Sequence, residues 1–134
     1  MDRILDLDEA AAVLTGRSRT WRTAGLDVSP LTWRDAAARW PARLETDRSR
    51  VHDPDAVGVH LAASRAELSV VLFTGGWADV DHVTEDGDVL HPPASGITST
   101  ADFAHRLEGW VHDAFGTPPA ACRVGCLPRC SPCQ

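Results

Sequence analysis

Four thiols close the chain as Cys122-x3-Cys126-x3-Cys130-x2-Cys133, all within its last thirteen residues. Four thiolates can complete a tetrahedral zinc site, and Cys130-Ser131-Pro132-Cys133 has the spacing of one zinc-knuckle half. The two pairs lack the long intervening loop of ordinary zinc ribbons, however. The three-then-two spacing from Cys126 also matches radical-SAM cluster ligands, but no barrel follows it to hold a substrate. A thioredoxin-like role for the last pair fails because a helix must follow such a pair to lower a thiolate pKa, and only Gln134 remains. Zinc, or another thiophilic metal, is therefore the cofactor these cysteines offer. It competes with a reduced, unordered tail, with disulfides formed on oxidation, and with a cysteine-rich core peptide that another enzyme modifies while the rest acts as leader.

Other reactive residue types are scattered. The six histidines are His52, His60, His82, His91, His105 and His112. None lies in an HExxH pattern. His105 and His112 stand seven apart, where a zinc pair on a helix needs three or four, and read as surface residues. His82 falls in phase with Val80 and reads as a core or rim histidine. The chain has no Gly-x-Ser-x-Gly elbow and no phosphate-binding loop, and Gly75-Gly76 reads as a turn. With no catalytic constellation, the expectation is a protein that is not an enzyme. Asp79-x-Asp81 resembles the start of a calcium loop, but Asp86-Gly87-Asp88 comes at the wrong spacing and no glutamate closes a twelve-residue loop.

The acids carry more information as a distribution of charge. The 134 residues include thirteen basic ones, all arginine, against nineteen acids, for a formal net charge of −6. The absence of lysine, tyrosine and asparagine points to a GC-rich bacterial coding sequence, which weakens any reading of the arginines as selected phosphate forks. In residues 1 to 66 ten arginines balance ten acids, whereas residues 67 to 116 hold nine acids against Arg106 alone, a net of −8. Capture of nucleic acid by such a chain is not expected. Five acids fall between Asp79 and Asp88. Trp77, Asp79 and Asp81, with Glu85, Asp86 and Asp88 beyond them, are the candidate partner-binding residues. The plainer alternative is a solvated sheet face whose charges discourage edge aggregation.

These residues need elements to position them. At 43% hydrophobic content the chain fits one core, and residues 1 to 116 read as a single α+β domain followed by a Pro- and Cys-rich tail, 117 to 134. Asp6 and Glu9 form a capping-box pattern before a short helix that Gly16 is expected to stop. Ser29-Pro30 is expected to start a second helix over 31 to 40, with Trp33, Ala37 and Trp40 on one face. Residues 43 to 55 read as a loop. The period then changes to two: Val57, Val59 and Leu61, then Leu68 to Phe73, then Trp77 to Val83, and finally Val89-Leu90 predict an antiparallel meander of three to four strands. Alternation places Trp77, Asp79, Asp81 and Val83 on one side of the sheet, and Ala78, Val80 and His82 on the other. Thr98-Ser99-Thr100 caps a C-terminal helix carrying Phe103, Leu107, Trp110, Val111, Ala114 and Phe115, expected to pack on the sheet. Trp21, in a polar stretch, and Trp77 are the expected exposed aromatic anchors.

The longest apolar run, near Val70 to Phe73, is far too short to span a bilayer, and the acidic start lacks an export signal. A cytoplasmic protein is expected. The order Val57-Gly58-Val59-x-Leu61, Glu67-Leu68-Ser69-Val70-Val71-Leu72 and Gly76-Trp77-Ala78-Asp79-Val80-Asp81, followed by a capped helix, resembles small α+β immunity proteins of bacterial polymorphic-toxin systems, most nearly the TriTu type. The resemblance covers about residues 50 to 115, and the cysteine tail departs from it. It implies a protein that binds and blocks a cognate toxin, and the acidic face suits a toxin with a cationic surface.

Overall fold

A computed structural model describes residues 3–39 and 43–116. Helix α1 spans Leu7–Thr23 and α2 spans Thr100–Phe115. Between them lie the strands β1 (Asp27–Val28), β2 (Thr32–Asp35), β3 (Pro54–Ala63), β4 (Ala66–Phe73), β5 (Trp77–Val83) and β6 (Val89–Leu90). All pairings are antiparallel. β3, β4 and β5 form the expected meander, β6 lies beyond β5, and β1 and β2 share the opposite edge of β3. The fold is α+β, with the C-terminal helix packed on the sheet.

The first helix begins where its sequence pattern places it. Asp6 accepts hydrogen bonds from the amides of Asp8 and Glu9 at 2.9 and 3.3 Å. Glu9 does not complete a reciprocal box. Its carboxylate instead accepts from the Thr100 hydroxyl at 3.1 Å, tying together the starts of the two helices. Gly16 does not end α1. The buried stripe Leu7, Ala10, Ala11, Leu14 continues through Ser18 and Trp21, and this extra core contact outweighs the low helix propensity of one glycine. The stop is Gly25, at φ +96°. Its amide donates to the Arg22 carbonyl and the Leu26 amide to the Trp21 carbonyl, both at 3.0 Å, the double bond of a Schellman motif. Trp21 is consequently not an exposed anchor; it is 6% exposed and part of the core.

The second expected helix is absent. Thr32 to Asp35 form β2, in register with Gly58 to Pro54 of β3. Threonine and tryptophan suit a strand, and Asp35 then accepts the Ala37 amide at 2.9 Å, closing a turn instead of starting a helix. Trp33 is buried as expected, but from a strand, while Ala37 is exposed. Trp40 lies outside the described residues. Pro30, expected as a helix start, sits at the break between β1 and β2. There the Ser29 amide donates to the His60 carbonyl and the Ser29 hydroxyl accepts the His60 amide, both at 2.9 Å. The stretch expected as loop contains a bridge from Glu45 to Trp33, a 3-10 turn over Arg48–Arg50, and the start of β3.

One sheet face is the core. Val57, Val59 and Leu61 of β3, Leu68, Val70 and Leu72 of β4, and Ala78 and Val80 of β5 lie side by side in register and are buried beneath α1 and α2. From α2, Phe103, Leu107, Trp110 and Val111 are buried, with Ala114 and Phe115 partly so. Ser99 caps α2 by accepting the Asp102 amide at 3.0 Å. Beyond β5, the 94 to 97 segment pairs with the strand start through Ala78 N–H to Ala94 O and Ile97 N–H to Gly76 O, each at 2.8 Å. A side chain at Gly76, with φ +91°, would place its Cβ 2.7 Å from the Ile97 carbonyl oxygen, so this corner requires glycine.

Candidate functional site: the open sheet face

Both helices lie on one side, and among the described residues no element covers the other side of the sheet. Register alone dictates what that face displays. Across the sheet, one row reads Arg34, Ala56, Phe73, Trp77; the next reads Thr32, Gly58, Val71, Asp79; a third reads His60, Ser69, Asp81; and a fourth reads Ala62, Glu67, Val83, Val89. The alternation predicted for Trp77, Asp79 and Asp81 is thus realised, with Ala78 and Val80 buried on the far side.

The first row is a ladder of planar groups. The rings of Phe73 and Trp77 stack with centroids 3.9 Å apart and planes within 10°. The Arg34 guanidinium lies over the Phe73 ring, 5.5 Å from its centroid. Arg34 is itself held by a fork onto Asp55: Nε donates at 2.9 and 3.1 Å to the two carboxylate oxygens, and Nη2 donates to one of them at 2.7 Å. Asp55 is buried, and its pairing raises the Arg34 guanidinium further above its ordinary value. The register shift between Arg34 and Asp35 is what lets an open-face arginine reach it. Phe73 is covered by its two neighbours and only 7% exposed, whereas Trp77 is 38% exposed. A large aromatic ring is therefore fixed in place yet open to solvent, the combination found in interface anchors.

The acids divide into three environments. Asp81 is paired with His91 at 2.7 Å, and Glu67 with His60 at 2.9 Å. Asp79 is exposed and has no ion pair among the described residues. Glu85, Asp86 and Asp88 occupy the turn between β5 and β6, which Thr84 and Gly87 build: Thr84 N–H donates to Asp88 O at 2.8 Å, Gly87 N–H to Thr84 O at 2.9 Å, and Asp88 N–H to the Thr84 hydroxyl at 3.1 Å. The three carboxylates are exposed and unpaired among the described residues. They lie at the opposite end of β5 from Trp77, roughly 20 Å away at strand rise. The six predicted residues form one acidic flank with an aromatic end rather than one compact patch.

Arg34, Phe73, His60, Glu67 and His91 also belong to this face, and sequence reasoning misses them. Phe73 is within its reach, since strand parity across the three-residue Thr74-Gly75-Gly76 turn pairs it with Trp77. Arg34 is not, because its segment reads as a helix.

Among the described residues no three histidine, cysteine, aspartate or glutamate side chains converge on a point that suits a metal. Cys122, Cys126, Cys130 and Cys133 lie outside the described residues. Two concavities lie elsewhere. One, of about 490 Å³, is bounded by the N-terminal segment and Arg48, and its arginines are engaged, Arg3 with Asp53 and Arg48 with Asp8. The other, of about 290 Å³, lies between the C-terminal parts of the helices over Trp21 and Val111. No helix among the described residues is long and apolar enough to cross a membrane. The chain matches no family model, no curated protein and no solved structure.

Proposed function

We propose that the chain is a non-catalytic protein-binding module that holds a cationic protein partner on the open sheet face, acting in the cytoplasm as an immunity protein that neutralises a cognate toxin. The observation that carries the reading is Trp77, exposed on an uncovered face while stacked on Phe73. Aromatic anchors of this kind supply affinity, because little rotamer freedom is lost when the partner docks. The unpaired acids along β5 and its turn supply attraction at a distance, so association with a basic partner is fast at low salt and slows as salt rises. The resemblance to TriTu-type immunity proteins supports the toxin as partner class.

A second reading rests on the Cys122, Cys126, Cys130, Cys133 spacing: a zinc-binding protein, or a precursor whose cysteines are modified. One comparison separates them. The protein, its D79K/D81K variant and a form lacking residues 117–134 are used as bait in the native cytoplasm. The binding-face reading expects a partner that is retained by the protein and by the truncated form and lost by the charge-reversal variant. Retention by the charge-reversal variant rules that reading out. Loss of the partner on truncation, with zinc found in the intact chain by native mass spectrometry, favours the metal reading.

A further inference from the structure

We infer that the open face carries a guanidinium-binding site at the outer side of Trp77, which takes an arginine side chain of the protein partner and discriminates against lysine. The inference rests on the binding-face reading above and specifies its chemistry.

The molecule already makes this contact twice: Arg48 lies over the Trp33 ring, 5.1 Å from its centroid, and forks onto Asp8 at 2.8 and 3.0 Å, and Arg34 makes the same contact on the open face. At one end of the planar ladder, Arg34 lies over an aromatic ring, Phe73, and forks onto a carboxylate, Asp55. At the other end stands a second ring, Trp77, whose inner face is taken by Phe73 at 3.9 Å and whose side chain is 38% exposed. The next open-face residue along β5 is Asp79, two positions on and therefore about 7 Å away at strand rise, within the span of one arginine that stacks on the ring and forks onto the acid. Asp79 is the carboxylate of the strand that no histidine or arginine occupies among the described residues, unlike Asp81, which His91 holds. On its other side Trp77 is flanked by the segment of Ser95 and Gly96, both exposed, which pairs with the start of β5, so Trp77 and Asp79 form a shallow, open counterpart of the ring and acid at the occupied end.

Two features choose the ligand. A stacked ladder accepts a planar group next, either an aromatic ring or a guanidinium. The surrounding charge, net −8 over residues 67 to 116, selects the cation. An ammonium pairs with Asp79 as a point charge, but it neither stacks nor forks and gives up hydration reluctantly. A guanidinium does both and is more weakly hydrated. The floor beside the acid is low, since its row contains Gly58 and a half-buried Val71.

The probes are hexa-arginine and hexalysine peptides, titrated against the full chain while the Trp77 indole N–H is followed by NMR and assigned with W77F. Hexa-arginine is expected to bind about fivefold or more tighter than hexalysine and to move the Trp77 signal. W77L should abolish that preference while leaving weak, salt-sensitive binding of both peptides, and W77F should keep part of it. D79N should weaken hexa-arginine more than hexalysine. Equal affinity for the two peptides, with both lost in D79K/D81K, overturns the guanidinium site and leaves the acidic-face reading standing. Binding of neither peptide also overturns the site. Binding that D79K/D81K does not alter counts against both readings.

Discussion

Arg34 and Asp55 are joined by three contacts of 2.7 to 3.1 Å across a register shift, so a surface arginine is anchored to a buried carboxylate. The pair controls more than itself, because the guanidinium also lies over Phe73 and Phe73 carries Trp77. Replacing the arginine strands the acid. R34M is expected to lower the free energy of unfolding by about 2 kcal/mol, between the value of a charge-assisted hydrogen bond and that of breaking a fully buried pair. Urea denaturation measures the loss, and R34M/D55N should be less destabilised than the sum of its single variants. Strict additivity would show that the two side chains do not depend on each other.

Two glycines near α1 should respond to alanine in opposite directions. Gly16 is inside the helix with open space where a Cβ would stand, and Gly25 ends the helix at φ +96°. G16A is expected to raise stability by about 1 kcal/mol through helix propensity. G25A should lower it by about 1 kcal/mol or more, since an L side chain is strained in the left-handed region. Thermal denaturation of both variants checks the assignment of the helix stop. A loss at position 16 together with a gain at 25 would move that stop back to Gly16.

Acid sensitivity follows from carboxylates bonded to the folded backbone. The Asp35 carboxyl accepts the amides of His52, Ala37 and Asp53 at 2.8, 2.9 and 3.0 Å, which hold it below its ordinary value of 3.8. Asp47 is lowered by the hydroxyl and amide of Ser49, Asp8 by the Arg48 guanidinium, and Asp102 chiefly by the Thr98 amide. Each group takes up a proton more readily unfolded than folded. The stability it contributes is present above the unfolded value and is lost as pH falls through the folded one. The urea midpoint should therefore hold steady from pH 7 to about 5 and decline below about 4. D35N should have a lower midpoint at neutral pH and a shallower acid decline; an unchanged acid slope in D35N would remove Asp35 from this account.

The meander and the last helix are legible in the sequence because their signals are local and repeated. The alternation from Val57 to Val83 marks both faces of three strands, and Thr98-Ser99-Thr100 marks the start of α2. The N-terminal half is harder to read because tertiary contacts decide it. Gly16 has the residue type of a helix stop but not the backbone conformation, and only the burial of Ser18 and Trp21 carries the helix onward. Ser29-Pro30 before an alanine run has the look of a helix start, yet Thr32 and Trp33 pair with β3, a partner more than twenty positions away that no local pattern names. The candidate site shares both fates. Trp77, Asp79 and Asp81 follow from alternation within one strand, while Arg34 and its fork depend on a strand whose own residues resemble a helix.

The Ser29-Pro30 break has a consequence for how the molecule can associate. A continuous outer strand would offer a row of free amides and carbonyls to a neighbouring chain. Here that flank is split into pieces of two and four residues, one of them bridged by Glu45, and the far flank ends in a strand of two. Among the described residues neither rim is a long template for lateral growth. The described sheet is blunted at both sides, and its breadth lies instead in the face turned away from the two helices.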